Sequence, residues 1–382
     1  MRRAVGQPQD TLFTLRQGKI YSSTMTRLNI VRHRLHNQHI STSPLGKPSE
    51  VVRWLGAVQA QDYAGAKWAL GLRLRRTADA NIEQAVADGS ILRTHVLRPT
   101  WHFVAPEDIR WLLALTAPRI HAANAHYYRS LELDKALFAR SSAALVQALR
   151  DGQQLTRVEL ASVLQGAGIE GSGLRLIYLI GSAELDGIIC SGARRGKQFT
   201  YALLDDRVPP TKTLERDEAL AELARRYFTS HGPATEEDFR WWSGLTRADI
   251  RSGLEMVKQQ MAYEVIDGKT YWFAASGPLA SKSSQAAFLL PNYDEYIVGY
   301  TDRTAIFDSS HSNKLDARGN PLFQHTIVVK GRIVGTWKRI LKKEAVVIET
   351  NLFTRLTKAE DQSVALAIQR YGEFLELPVV LA

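Results

Sequence analysis

The stretch from Trp54 to Arg73 contains the residues best suited to chemistry. Gln59 and Gln61 flank Ala60 inside an otherwise apolar run, and Asp62 follows directly. A carboxamide side chain both donates and accepts hydrogen bonds, and a buried one without partners costs about 1–3 kcal/mol. Two amides at this spacing therefore indicate an internal hydrogen-bond network or a bound ligand. The alternative is that one glutamine caps a helix end and the other is solvated.

Three segments, which follow one another along the chain, resemble the winged-helix DNA glycosylases of the AlkZ and YcaQ type: Gln59 to Tyr63, Arg93 to Val104 and Leu289 to Tyr296. The similarity covers roughly Arg27 to the C-terminus. The catalytic signature of that family is a glutamine, an apolar residue and then a glutamine or aspartate. It falls here on residues 59–61, whose two glutamines match the AlkZ branch. The resemblance implies a monofunctional glycosylase that needs no metal and no other cofactor.

The resemblance also implies which reaction this motif carries out. A purine alkylated at N7 is cationic and leaves readily, so the enzyme has chiefly to hold a water and stabilise an oxocarbenium-like transition state. Our hypothesis is that Gln59 and Gln61 position that water, with their carbonyl dipoles facing the developing positive charge. Asp62 is the competing general base. We expect it to be structural, either capping a helix or paired with an arginine, and to point away from the glutamines if the backbone is extended.

The segment from Ile91 to Val104 supplies further candidates, since it matches the family's recurrent Arg-Pro-Thr and His pattern. Arg98 is expected to contact a DNA phosphate, and Thr100 and His102 are expected to buttress the site. The alternative for His102 is a buried histidine bonded to the backbone. A metal site formed with His95 is a weak hypothesis, because cysteine or carboxylate partners at ligand-like spacing are missing.

A basic run from Lys330 to Lys343 is the candidate for the hairpin that approaches the minor groove in the resembling enzymes. Lys338 and Arg339 are its expected DNA contacts. The alternative is a solvated edge strand protected by lysines. The basic tip from Arg194 to Lys197 is a second phosphate candidate.

Composition and charge narrow the class of protein. The 382 residues are 45% hydrophobic and 23% charged, as in soluble globular proteins of more than one domain. The net charge is +10, and residues 1–100 hold 15 Lys and Arg against 6 Asp and Glu, an excess of 9. Such clustering favours a polyanionic partner. The single cysteine, Cys190, excludes an intramolecular disulfide and a cysteine-cluster metal site.

The N-terminus shows no secretory pattern, and no apolar run is long enough to span a bilayer. Residues 1–24 are expected to be unstructured, and Met25 is an alternative translation start. We expect a cytoplasmic, nucleoid-associated protein.

Apolar spacing predicts the same order of elements three times, namely helices followed by a β-hairpin. Helix starts are predicted at Pro48, at Thr156 with Glu159 as a capping box, and at Thr235 and Thr246. The Trp241–Trp242 pair is expected in the core.

The C-terminal part alternates as strands do, and a final helix is predicted from Lys358 to Phe374. Tight turns are predicted at Asp267–Gly268 and at residues 330–332. The predicted strands are Ala287 to Pro291, Ile297 to Tyr300, Pro321 to Val329, Arg332 to Lys338 and Ala345 to Glu349.

The expected fold is mainly α with β wings (α+β), with three tandem winged-helix units followed by a small β-rich, barrel-like C-terminal domain. The expected divisions are a disordered extension over 1–25, winged-helix units over 26–130, 131–210 and 211–275, and the β-rich domain over 285–382.

The function that the resemblance implies is hydrolysis of the N-glycosidic bond of N7-alkylated purines in double-stranded DNA, extending to interstrand crosslinks, with less base flipping than in pocket-type enzymes. Neither a membrane nor an obligate protein partner is expected. The rival hypothesis is a non-catalytic winged-helix DNA-binding protein or transcriptional regulator.

Overall fold

The computed structural model describes residues 27–211, 213–275, 287–315 and 318–382. The expected N-terminal extension, Met25 and nearly all of the linker from Ala275 to Ser284 lie outside these residues. Within the described ranges, the chain forms helices and small sheets whose strands are antiparallel except for one parallel pair in the C-terminal sheet. Among these residues, no helix is both long and apolar enough to cross a membrane.

The first unit surrounds a three-stranded sheet of order β1-β3-β2. Its elements are α1 (Arg27–Asn37), α2 (Pro48–Leu55), β1 (Val58–Gln59), α3 (Tyr63–Arg73), α4 (Asp79–Ala87), β2 (Leu92–Val96) and β3 (Thr100–Val104). The helix start predicted at Pro48 is confirmed, whereas α3 is a helix that apolar spacing does not predict. Every residue of α3 from Gly65 onward is buried, so the polar face that marks a surface helix is missing.

The second unit repeats this order and has a sheet of order β4-β6-β5. The predicted capping box of Thr156 and Glu159 at the start of α7 is confirmed. The elements are α5 (Pro106–Ser130), α6 (Lys135–Leu149), β4 (Leu155–Thr156), α7 (Arg157–Gly166), α8 (Gly173–Leu185), β5 (Ile189–Ser191), β6 (Thr200–Leu203) and α9 (Leu204–Arg207).

The third unit has two capped helices and a hairpin. Thr235 and Thr246 accept hydrogen bonds from the first turns of α11 and α12, as predicted. Asp267 and Gly268 both have positive φ, as a type I′ hairpin turn requires. The elements are α10 (Arg216–Ser230), α11 (Glu236–Ser243), α12 (Arg247–Val257), a 3-10 turn (Lys258–Gln260), β7 (Met261–Ile266) and β8 (Lys269–Ala274).

All three units thus share one order of elements. In the third unit an isolated bridge between Ala234 and Trp272 takes the place of the short strands β1 and β4 of the first two units. The winged-helix interpretation and the domain boundaries stay predictions.

The C-terminal part contains an open five-stranded sheet of order β13-β12-β11-β10-β9. Its elements are β9 (Ala287–Leu290), α13 (Glu295–Val298), 3-10 helices at Ser309–Lys314 and Pro321–Phe323, β10 (Thr326–Val329), β11 (Arg332–Leu341), β12 (Val346–Leu352), α14 (Lys358–Leu375) and β13 (Val379–Leu381). The predicted final helix and the turn at residues 330–332 are confirmed.

Three predictions for this part are wrong. The strand predicted from Pro321 to Val329 begins only at Thr326, because Pro321–Phe323 forms a 3-10 helix whose first turn is capped by Asn320. The sheet is not barrel-like, because its outer strands β9 and β13 do not pair with each other in the part of the chain that the structure describes. Residues Ile297 to Tyr300 are not a strand. They follow Asp294, which caps the short helix α13, and all four are buried, so apolarity alone could not distinguish helix from strand.

The hydrophobic cores join units that are distant in sequence. One core combines α1 to α4 with the C-terminal sheet and α14, and the indole of Trp68 donates to the Leu289 carbonyl at 2.7 Å. A second core combines β2 and β3 with α5 and α10 to α12. The strand β1 therefore lies where the first unit, the third unit and the C-terminal part meet.

Candidate functional site

Gln59 is held at that junction by its backbone and its side chain. It lies opposite His102 in the β1–β3 ladder and is 7% exposed. Its backbone N–H donates to Glu295 Oε1 at 2.8 Å, and its side-chain Oε1 accepts from Arg98 Nη2 at 3.1 Å. A guanidinium can only donate, so the carbonyl oxygen of Gln59 must face Arg98. The NH2 group of Gln59 therefore points away from Arg98 and does not take part in that hydrogen bond.

Gln61, two residues on, has an exposed side chain. Ala60 separates the glutamines and is buried. Its N–H donates to the Trp101 carbonyl at 2.7 Å, and its carbonyl accepts from Arg93 Nε at 3.1 Å. The hydrogen-bond network expected for a buried amide is thus present at Gln59, whereas Gln61 is solvated, as the alternative interpretation required of one glutamine.

Arg98 lies in this network and is partly buried, and its burial lowers the pKa of the guanidinium. The guanidinium carbon also lies 5.4 Å from the centre of the Trp241 ring. A contact with DNA phosphate stays a prediction for Arg98. Trp241 is 37% exposed, so the expected burial of the tryptophan pair is confirmed for Trp242 but wrong for Trp241.

Thr100 and His102 adjoin Gln59 on the neighbouring strand. His102 Nδ1 lies 2.9 Å from the Thr100 carbonyl oxygen, which is the backbone bond of the alternative interpretation. Its Nε2 and the Thr100 hydroxyl are buried without a hydrogen-bond partner among the described residues. Burial, followed by the nearby charge of Arg98, lowers the pKa of His102 to about 3, so the ring is neutral at pH 7.

Glu295 is the member of this site that sequence reasoning missed. It is 0% exposed and accepts from Gln59 and from Trp242 Nε1, the latter at 2.8 Å, while His231 Nε2 lies 3.4 Å away. Burial alone would raise the pKa of Glu295, but the contact with His231 and the backbone N–H of Gln59 outweigh it, so the pKa lies below its usual value. The signal was present, because Glu295 falls inside the family-like segment that ends at Tyr296.

Asp62 has both contacts expected of a structural residue. Its Oδ1 accepts from the Gly65 N–H at 3.0 Å and caps α3, and the same oxygen lies 4.0 Å from Arg339 Nη2. Arg339 also donates to the Tyr371 hydroxyl at 2.7 Å. The catalytic and DNA-binding roles assigned from the sequence stay predictions. Among the described residues, no group of three or more His, Cys, Asp or Glu side chains is placed to hold a metal ion.

The predicted DNA-binding hairpin is formed by β11 and β12. The strand β11 pairs with β10 as far as Thr336. The first half of β11 is therefore not a free edge of the sheet. From Lys338 to Leu341 the ladder continues with β12. Lys338, Lys342 and Lys343 are exposed, as are the apolar side chains of Ile340 and Leu341 at the same end.

Many other basic side chains are engaged within the protein. Lys67 lies 2.6 Å from Asp79 and 2.9 Å from Glu83, and Arg73 pairs with Asp294 at 2.8 Å in the interior. In the tip of residues 194–197, the two arginines pair with Glu83 and Glu159. The basic excess of the first 100 residues is therefore partly internal.

Comparison with known proteins identifies the class of protein. The family model described as "DNA glycosylase AlkZ-like" matches residues 52–374. A curated relative from Streptomyces sahachiroi, described as an interstrand DNA cross-link repair glycosylase, is 24% identical over 359 residues, which cover 91% of this chain and 96% of the relative. The solved structure of the Streptomyces sahachiroi DNA glycosylase AlkZ matches with a TM-score of 0.77 and 21% identity, over 94% of this chain and all of that one.

The protein is a DNA glycosylase. It belongs to the AlkZ-like family of these enzymes, as the resemblance had implied.

Proposed function

We propose that this enzyme hydrolyses the N-glycosidic bond of N7-alkylated purines in duplex DNA and unhooks interstrand crosslinks formed through such bases. The observation that carries the proposal is the pairing of a fixed amide with an exposed one. Gln59 is held by Arg98 and Glu295, and Gln61 presents an exposed amide to solvent two residues away. The name of the Streptomyces sahachiroi relative, a cross-link repair glycosylase, supports the choice of lesion.

The chemistry needs little help from a strong acid or base. The bond between C1′ and N9 breaks, and its electron pair neutralises the positive charge of the alkylated purine. A water oxygen forms the new bond to C1′, and the water gives up one proton to solvent. The enzyme has to place the water and favour the positively charged sugar in the transition state.

The two glutamines divide this task. The oxygen of Gln59 is directed at Arg98, so its NH2 group donates to the water and fixes its position. The carbonyl oxygen of Gln61 accepts a hydrogen bond from the same water, which leaves a lone pair of the water oxygen to attack C1′. The sequence-based hypothesis gave both carbonyls the same role. The contact with Arg98 favours different roles for the two.

The DNA would be held on both sides of this motif. The exposed lysines at residues 338, 342 and 343 provide charges for the phosphates of one flank. Thr100 and His102 support the Gln59 strand from the adjacent strand β3, and the three repeated units, interpreted as winged helices, provide the remaining surface. We expect the lesion to be met with limited base flipping, because bulky crosslinked adducts are poor candidates for extrusion into a pocket.

The test is single-turnover release of N7-methylguanine from duplex DNA, beside unhooking of an interstrand-crosslinked duplex. Wild type should release base from both, and the Gln59→Ala, Gln61→Ala double variant should be slower by at least about 100-fold, which is about 2.7 kcal/mol of transition-state stabilisation. Binding without release by the wild type would contradict the choice of substrate. Wild-type rates in the folded double variant would contradict the assignment of the site.

A further inference from the structure

A fully buried carboxylate, that of Glu295, contacts the backbone of Gln59 and has no role in the reaction proposed above. Glu295 is contributed by α13, a helix 236 residues away in sequence, and its Oε1 accepts the backbone N–H of Gln59 at 2.8 Å. Its Oε2 accepts from the indole of Trp242 at 2.8 Å and lies 3.4 Å from His231 Nε2. The carboxylate therefore connects the C-terminal part and the third unit to β1, the strand that contains Gln59.

Hydrogen bonding alone does not require a charge at this position. Burying an ionised carboxylate costs several kcal/mol, which surrounding donors repay only when the geometry is good. The contacts made by its donors nevertheless favour the ionised form of Glu295. Burial lowers the pKa of His102 to about 3, so this ring supplies no balancing positive charge at pH 7. Burial also lowers the pKa of His231, although the contact with Glu295 opposes that shift.

The permanent cation that contacts the side chain of Gln59 is Arg98. Its guanidinium holds the carbonyl oxygen of Gln59, and Glu295 is the foremost charge that favours its protonated form. Positive charge develops on the sugar during base loss, so an uncompensated cation beside Gln59 would raise the barrier through Coulomb repulsion in a site of low dielectric constant.

We propose that Glu295 is a positioning residue for base excision: it fixes the backbone of Gln59 and compensates the charge of Arg98 beside the bond that breaks. The two charges act on opposite sides of one residue, with Arg98 on the side chain of Gln59 and Glu295 on its backbone. Glu295 does not touch the substrate. The proposal rests on the function proposed above, since it assigns Gln59 to the reaction.

The test is the Glu295→Gln variant in single-turnover excision of N7-methylguanine, with the affinity for the same duplex measured separately. The excision rate should fall at least about 10-fold while the dissociation constant stays within about 2-fold, because the lost interaction matters in the transition state. In the Glu295→Gln variant an NH2 group also replaces one carboxylate oxygen, so that it faces the indole N–H of Trp242, which is itself a donor. The Glu295→Gln, Trp242→Phe double variant removes that donor and should be equally slow.

The matched control is Asp238→Asn. Asp238 is also a fully buried carboxylate, but it accepts from the backbone of Thr235 and Thr301 and makes no hydrogen bond to the Gln59 strand. Its variant should lose stability and keep an excision rate within about 3-fold of wild type, at a temperature where both are folded.

A charge-coupling measurement separates compensation from a purely structural role. Arg98→Gln loses the contact with Gln59 in either background, but in the Glu295→Gln protein it also removes the uncompensated cation. Its rate loss should therefore be at least about 5-fold smaller in the Glu295→Gln background than in wild type. A purely structural role of Glu295 predicts the same rate loss in both backgrounds.

A folded Glu295→Gln protein, or its double variant with Trp242→Phe, that excises within about 3-fold of wild type would overturn the proposal, as would equal rate losses from Arg98→Gln in the wild-type and Glu295→Gln backgrounds. If the Gln59→Ala, Gln61→Ala protein is inactive while Glu295→Gln is active, only the role of Glu295 fails. If both retain activity, the proposed site itself is wrong.

Discussion

Arg98 donates to the side-chain oxygen of Gln59 at 3.1 Å, across 39 residues of sequence. This contact fixes which end of the Gln59 amide is available to a ligand. It also gives Arg98 a role in the site that does not require contact with DNA.

The first prediction concerns that role. Arg98→Lys should lower single-turnover excision about 10-fold, because an ammonium cannot reproduce the planar contact with Gln59. The dependence of DNA affinity on salt should stay unchanged, since the positive charge is retained. If Arg98 is instead mainly a phosphate contact, Arg98→Ala will reduce the salt slope by about 1.

The second prediction separates the two glutamines. Gln61→Ala should leave the melting temperature unchanged, because the side chain is exposed and such changes usually alter stability by less than about 0.5 kcal/mol. It should still slow excision at least about 10-fold. Gln59→Ala should slow excision and also lower the melting temperature, because Arg98 loses a buried partner. Equal melting temperatures for the two variants would contradict the difference in their environments.

The third prediction concerns the β11–β12 hairpin. Replacing Lys338, Lys342 and Lys343 together with alanine should reduce the slope of log affinity against log salt by about 2–3. Arg339→Ala should change the slope less and stability more, since Arg339 is bonded to Tyr371 and lies near Asp62. A slope that is unchanged in the triple variant would exclude the hairpin as a phosphate-binding element.

The fourth prediction follows from the pKa of His102, which burial lowers from 6.5 to about 3. Between these pH values the unfolded chain takes up a proton that the folded protein does not, so stability is lost as pH falls from 6.5 toward 3 and is unaffected above this range. Each pH unit costs about 1.4 kcal/mol for one such group.

The measurement is chemical denaturation of wild type and His102→Gln at several pH values. The variant should lose less stability than wild type between pH 6.5 and 4, and other buried histidines cancel in the comparison. Parallel pH profiles would mean that His102 titrates normally in the folded protein.

The fifth prediction concerns Gly331, in the turn between β10 and β11. Its φ is +79°, and an added Cβ would overlap the side chain of Val31 in α1. Gly331→Ala should therefore cost more than about 3 kcal/mol, whereas Gly268→Ala, with φ of +75° and open space around it, should cost about 1 kcal/mol. Equal losses in thermal or chemical unfolding would show that α1 moves away freely from this turn.

The sequence by itself determined the features that depend on local chemistry. The caps at Thr156, Thr235 and Thr246 and the Asp267–Gly268 turn arise from side chains and backbone conformations a few residues apart. The family-like motif located Gln59 and Gln61 and implied a DNA glycosylase.

Tertiary structure decided the rest, because the partners come from distant segments or depend on complete burial. Arg98 and Glu295 reach Gln59 from 39 and 236 residues away, and no periodicity encodes such pairings. The helix α3 and residues 297–300 are buried on all sides, so they lack the polar face that reveals an element. Charge counts likewise could not distinguish the interior cation of Arg73 from the exposed one of Lys338, since burial is a property of packing.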